Sequence, residues 1–151
     1  MDFNALPPLV VFQEVPDEVS LAFTISGCPH GCPGCHSQET WNPKLGVPLT
    51  PSLFIDHLRR YQGLISCVVF FGGEWQPRQL IKLLLIAQNQ GLKTCLYSGK
   101  HHISNTISQH LTYLKLGPWQ AENGGLESIH SNQTFIQLDQ NISLNHRFQG
   151  A

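Results

Sequence analysis

The sequence predicts an α/β fold: an open partial (β/α) barrel, or a short wound sheet, of mostly parallel strands. Three observations carry this reading. Strand-like and helix-like segments alternate along the chain. The run LISCVVFF (64–71) is continuously apolar and rich in β-branched residues, as suits a strand covered on both faces. The chain has 151 residues, whereas a closed eight-fold barrel needs about 200 or more. One domain, 1–151, is expected, large enough to bury a core without disulfide staples.

The elements follow in order. LVVFQEV (9–15) and VSLAFTIS (19–26) read as strands joined by a turn at PDE, so the pair predicts a hairpin. A loop dense in Cys, Pro and Gly comes next. TPSLFIDHLRRYQG (50–63) starts a helix, with Thr50 as N-cap and Pro51 at the first helical position. Phe54, Leu58 and Tyr61 recur at helical spacing, and Gly63 suits the C-cap. LISCVVFF is the next strand and ends in GGE. Pro77 opens a second helix whose inner stripe is Leu80, Leu83, Leu84 and Ala87, stopped by Gly91. LKTCLYS (92–98) predicts a strand, HHISNTISQH (101–110) a weaker helix, LTYLKLG (111–117) a strand and TFIQLD (134–139) a last strand. In sheets of this kind ligands bind at the carboxyl ends of the strands. The cysteine loop and GGE both fall at such ends, so they are expected on one side of the sheet.

Composition narrows the function. Charged residues make up only 13% of the chain, the formal net charge is -1, and no Lys/Arg cluster occurs. Nucleic-acid binding begins with phosphate neutralisation, so a nucleic-acid partner is not expected. The longest apolar runs are too short to span a bilayer, and MDFNALPPLVVF lacks the pattern of a signal peptide. Five cysteines, three of them crowded into one loop, make a poor disulfide framework. They fit a metal or redox role in the cytoplasm.

Cys28, Cys32 and Cys35 lie within eight residues, in GCPHGCPGC. Three thiolates on one loop can hold three corners of a metal centre. One reading is structural zinc, with His30 or His36 as fourth ligand, in a zinc-binding interaction module. The usual zinc knuckle, however, draws its ligands from two separate turns. The other reading is a [4Fe–4S] cluster held through three irons, whose fourth iron stays open for a reactant. Cys67 and Cys95 sit inside predicted strands and read as buried core residues.

The spacing Cys28-x3-Cys32-x2-Cys35 resembles the signature of the radical S-adenosylmethionine superfamily. GGE, about forty residues on at the end of the next core strand, strengthens the resemblance. It implies a partial barrel of the radical SAM type, with the cluster loop at 27–36. Cys28, Cys32 and Cys35 would hold a [4Fe–4S] cluster. Its open iron would bind the amino and carboxyl groups of S-adenosyl-L-methionine, and reductive cleavage would give a 5′-deoxyadenosyl radical. Gly72, Gly73 and Glu74 would contact the cofactor, Glu74 pairing with its ammonium. Gly27, Gly31 and Gly34 permit a tight loop whose N–H groups can reach cluster sulfurs. Gly72 and Gly73 let the backbone come close to a ligand.

Longer stretches narrow the branch. SGCPHGCPGCHSQETW (26–41) looks like the cluster loop of the glycyl-radical-enzyme activases. YLKLGPWQAENGGLESIHSNQTF (113–135) is similar to a stretch in activating proteins of anaerobic ribonucleoside-triphosphate reductase. The implied partner is then a large glycyl radical enzyme, most simply that reductase, with an electron donor such as flavodoxin. A different glycyl radical enzyme, or a small-molecule substrate, is the alternative. Two departures stand out. Trp75 follows GGE where relatives commonly have proline, and Thr134 stands where the reductase activases have arginine.

Other residues have plainer readings. His101-His102 reads as a solvated helix start, His57 as part of a helix face, His36 as a cap of the loop and Trp41 as packing. Lys115, near the carboxyl end of its strand, is a candidate for partner or cofactor contact. NGGL (123–126) is either a turn or part of such a contact.

Overall fold

The structure, a computed structural model, describes residues 2–27, 42, 44–118, 120 and 122–149. In chain order its strands are β1 (Asn4–Ala5), β2 (Leu9–Val11), β3 (Ser20–Thr24), β4 (Val47–Pro48), β5 (Cys67–Phe71), β6 (Lys93–Tyr97), β7 (Tyr113–Leu116), β8 (Thr134–Gln137) and β9 (Ile142–Ser143). Its α-helices are α1 (Pro51–Arg60), α2 (Pro77–Asn89) and the single turn α3 (Asn105–Ser108).

Among the described residues the main sheet has seven strands, ordered β2-β3-β5-β6-β7-β8-β9. Its centre is parallel from β3 through β5 and β6 to β7. At one edge β2 pairs antiparallel with β3; at the other, β8 and β9 continue antiparallel from β7. A mixed α/β fold with a mostly parallel central sheet is therefore present, and β2 and β3 form the expected hairpin. A small second sheet, β1 against β4, was not expected. Strands of two residues carry no periodicity to read.

The helices start where the sequence says. The Thr50 side chain accepts from the Leu53 amide at 3.1 Å, and Pro51 opens α1. The α1 face that meets the sheet carries Phe54 and Leu58; the α2 face carries Leu80, Leu83, Leu84 and Ala87, all fully buried. They pack on Leu21, Phe23, Val68, Phe70, Leu96 and Leu114 from one face of the sheet. Fully burying one such side chain stabilises by about 1.5–3 kcal/mol, so this layer outweighs any single polar contact. None of the helices among the described residues is long and apolar enough to cross a membrane.

The opposite face of the sheet is covered by the chain itself. Ala22, Cys67, Val69, Cys95, Tyr113 and Phe135 line it, and Val15, Leu126 and Leu144 close over them. Phe148 packs against Phe135 with its ring tilted by 51° and centroids 5.0 Å apart. The strand predicted over 9–15 stops at Val11 because residues 12–18 fold across this face, burying Val15 completely. The Tyr97 hydroxyl donates to the Glu14 carbonyl there. Asp17, with φ of 67°, turns the chain back, and Arg147 binds its carboxylate through both guanidinium nitrogens at 2.7 and 2.9 Å.

Other elements are also shorter than predicted. LISCVVFF becomes strand only from Cys67; Leu64 is exposed and the 61–66 stretch closes turns after α1. The helix predicted over 101–110 shrinks to α3, because apolar residues on its face are few and only Ile107 is buried. TFIQLD is not the last strand, since β9 follows it.

Candidate functional site

The carboxyl ends of the four parallel strands form a continuous rim. Just past β3, the Ile25 amide donates to the Phe71 carbonyl at 3.0 Å. Just past β5, the Gly72 amide donates to the Tyr97 carbonyl at 3.0 Å, and just past β6 the Ser98 amide donates to the Lys115 carbonyl at 2.9 Å. The ladder thus runs one residue beyond β3, β5 and β6. Each of these three exits is tied to the carboxyl-terminal part of the neighbouring strand, at Phe71, Tyr97 and Lys115, so the turns that leave the sheet are set side by side.

Cys28, Cys32 and Cys35 lie outside the described residues, as do Gly31, Gly34, His30, His36 and Trp41. The residues leading to them are described. Ser26 is buried and its amide donates to the Asn4 carbonyl at 3.0 Å; Gly27 has φ of 86°, which favours glycine. The chain therefore leaves β3 at the rim, next to the GGE turn. The donor set that begins one residue later, three thiols within eight residues, suits an iron–sulfur cluster with one iron left open.

In the GGE turn Gly72 and Gly73 have φ of 92° and 105°. A Cβ on Gly72 would stand 2.7 Å from Trp75 Cη2; one on Gly73 would stand 3.1 Å from Phe3 Cε2 and 3.4 Å from Ile25 Cγ1. The visible need for glycine is thus intramolecular as well. Trp75 covers Gly72, which is what this chain does with the residue after GGE. Glu74 is only 5% exposed, and Ser98 Oγ donates to its Oε1 at 3.0 Å.

Lys115 is at the same rim, buried near the end of β7 as its sequence position suggested. Its Nζ donates to the Gly117 carbonyl at 2.8 Å and the Ser98 carbonyl at 3.4 Å, and lies 5.9 Å from the centre of the Tyr97 ring. Burial, then the neighbouring Cys95 and Glu14, raise the Tyr97 phenol well above its ordinary value, so it remains a donor. The stretch after β7 returns to this point. Gln133 Nε2 donates to the Gly117 carbonyl at 3.4 Å, and Asn132 Nδ2 to the Pro118 carbonyl at 3.1 Å. Leu126, from NGGL, is anchored in the covered face. The two ends of this stretch, 117–118 and 132–133, are thereby held together. Thr134, the position at which the resemblance implies an arginine, is exposed at the start of β8.

The remaining candidates fall elsewhere. His101 and His102 are exposed on the segment before α3. The His57 ring meets Phe23 edge-on, centroids 5.8 Å apart, and burial first, then Arg60, lower its pKa. Cys67 and Cys95 are fully buried free thiols. Burial pushes the Cys67 thiol up to about 12 and holds Cys95 well above its ordinary value, so both are core residues and poor ligands. Ser98 was missed by sequence reasoning. Its one signal was its place, first after a core strand and before a glycine.

The model of a protein family described as a 4Fe-4S single cluster domain matches residues 19–116. A pyruvate formate-lyase-activating enzyme from Clostridium pasteurianum is 29% identical over 111 residues, covering 68% of this chain and 47% of the relative. The chain thus spans about half the length of the curated relative it matches.

Proposed function

The chain belongs to the 4Fe-4S single cluster domain family, and from that premise we propose that it is a cytoplasmic radical S-adenosylmethionine activase. In this reading it generates a glycyl radical on a partner enzyme, anaerobic ribonucleoside-triphosphate reductase first among the candidates. The observation that carries the reading is the rim: the chain leading into Cys28-x3-Cys32-x2-Cys35 and the Gly72-Gly73-Glu74 turn are hydrogen-bonded neighbours through Ile25 and Phe71.

Cys28, Cys32 and Cys35 would hold the [4Fe–4S] cluster. Gly72, Gly73 and Glu74 would receive S-adenosylmethionine, with Glu74 accepting from its ammonium. When bound, cluster and cofactor supply the one-electron chemistry that takes hydrogen from a glycine Cα of the partner. The protein's own part is placement. The reacting carbon has to be held within about 3–3.5 Å of the hydrogen acceptor in a near-attack arrangement. Because residues 12–18 and 144–148 cover the far face of the sheet, a partner loop is offered the rim rather than the interior.

A second reading, favoured by the name of the C. pasteurianum relative, keeps the chemistry and changes the partner to another glycyl radical enzyme. One experiment separates them. The reconstituted protein is mixed anaerobically with reductant, S-adenosylmethionine and each glycyl radical enzyme of the same cell, and the electron paramagnetic resonance spectrum is recorded. The reductase is expected to give a glycyl doublet that disappears when its one radical glycine is changed to alanine. A doublet only with a different enzyme selects the second reading. Silence from all of them, with an intact and reducible cluster, ends the activase assignment.

A further inference from the structure

We propose that Ser98 is the positioning residue of this site, its buried hydroxyl aiming the Glu74 carboxylate at a cationic amino group of the ligand. The inference rests on the reading of Glu74 just given and assigns a role to a residue outside the GGE turn.

The hydrogen bonds have a settled direction. The Lys100 amide donates to Ser98 Oγ at 3.1 Å. A carboxylate only accepts, so the hydroxyl hydrogen goes to Glu74 Oε1, 3.0 Å away. Both side chains are out of water: Ser98 is 1% exposed and Glu74 5%. A hydroxyl bonded to a charged group in such surroundings is a strong and directional contact.

Ser98 is itself held firmly. Its amide donates to the Lys115 carbonyl at 2.9 Å, and its carbonyl accepts from Lys115 Nζ at 3.4 Å. The Gly117 amide donates to the Lys100 carbonyl at 2.8 Å and closes the turn from the other side. Glu74, by contrast, follows two residues without side chains, Gly72 and Gly73. Its carboxylate takes part of its aim from the neighbouring strand end, and Ser98 supplies it. A charged group that meets a ligand must be held to within about half an ångström.

The test must separate aiming from mere support of the fold. Two ligands are used on the anaerobically reconstituted full chain: S-adenosylmethionine and its analogue without the α-amino group. Equilibrium dissociation constants are measured for wild type, Ser98→Ala, Ser98→Thr, Glu74→Gln and the double variant Ser98→Ala/Glu74→Gln, with iron content and melting temperature recorded for each. Ser98→Ala should weaken S-adenosylmethionine about tenfold, the worth of one charged hydrogen bond, and leave the analogue unchanged. Ser98→Thr should restore the wild-type value. Adding Ser98→Ala to Glu74→Gln should cost nothing further, since the two act as a unit.

The proposal is overturned if Ser98→Ala binds S-adenosylmethionine like wild type, or if it weakens both ligands equally. With Glu74→Gln still selectively impaired, either result removes Ser98 and leaves the Glu74 reading standing. If wild type itself does not prefer the ligand with the amino group, the Glu74 reading falls, and the role of Ser98 with it. Should Ser98→Ala hold no iron, Ser98→Cys, similar in size and a weaker donor, is put through the same comparison with the same outcomes.

Discussion

Tyr113 donates its hydroxyl to Glu18 Oε2 at 2.8 Å, across 95 positions of sequence, at the amino ends of the strands and opposite the rim. Lys93 Nζ reaches the same oxygen at 2.8 Å, and Ser66 Oγ donates to Oε1 at 2.7 Å. One carboxylate, 7% exposed, thereby joins the hairpin turn to the start of β5, β6 and β7. Glu18→Ala should lower stability by about 2 kcal/mol, because it strands the buried Tyr113 hydroxyl and removes the partner of Lys93 and Ser66. Lys93→Met should cost less, since the Lys93 side chain is 53% exposed and its ion pair is largely screened by solvent, while Ser66 and Tyr113 still donate to Glu18. Chemical denaturation of both variants measures the difference.

Glu18 also sets an acid limit. Burial raises its pKa, but hydrogen bonds from Lys93, Ser66 and Tyr113 and the Lys93 charge outweigh it, so the net value lies below the ordinary 4.5. A depressed carboxylate contributes stability that is complete above its unfolded value and lost as pH falls through its folded value. Wild type should therefore lose stability between about pH 5 and about pH 2 faster than Glu18→Gln does. Parallel acid limbs for the two proteins would take Glu18 out of the account.

Cluster assembly should depend on three cysteines only. Cys28→Ala, Cys32→Ala and Cys35→Ala are each expected to abolish it, because each thiolate would hold its own iron. Cys67→Ala and Cys95→Ala should keep a full cluster and cost about 1 kcal/mol of packing. Iron and sulfide analysis after anaerobic reconstitution reads both halves. A full cluster in Cys32→Ala would show that the ligands are wrongly assigned.

Gly73→Val and Glu74→Ala should differ in kind. The valine meets Phe3 and Ile25 in a backbone conformation that side chains rarely adopt, so it should lower the melting temperature as well as cofactor affinity. Glu74→Ala removes a charge-assisted hydrogen bond, worth about 1.5–3 kcal/mol of binding, and should weaken S-adenosylmethionine with the cluster retained. Unchanged affinity in both variants would remove GGE from the site.

The covering of the far face rests more on Val15 than on the ion pair above it. Val15→Ala empties a fully buried position and should cost about 2 kcal/mol. The Asp17–Arg147 pair is exposed on both sides, so Arg147→Ala should have a small effect that fades as salt is added. Melting curves at low and high ionic strength distinguish the two. A larger loss in Arg147→Ala than in Val15→Ala would reverse this ranking.

Much of this architecture is legible from local chemistry. Thr50 and Pro51 mark the start of α1, and the Leu80, Leu83, Leu84 and Ala87 stripe gives the buried face of α2. The placement of GGE and Lys115 at strand ends follows from the order of elements alone. What the sequence hides is long-range pairing of polar groups. Glu18 in PDE looks like a solvated turn residue, yet it is buried because three donors from distant strands converge on it. Ser98 looks like any residue after a strand; only parallel register brings it to Glu74. Val15 reads as the end of the strand-like run LVVFQEV, whereas the chain places that apolar residue over the covered face of the sheet.

The two margins of the seven-stranded sheet bear on behaviour at high concentration. Open edges invite a second molecule to add a strand, the first step of β-aggregation. Here β9 is two residues long and β2 three. Pro7 and Pro8, just before β2, have no N–H to offer an incoming chain. The first margin is the stickier one, because Leu9 and Phe12 are each 67% exposed beside it. Brevity rather than charge guards these margins: among the described residues, β2 and β9 offer little backbone on which another copy could add a strand.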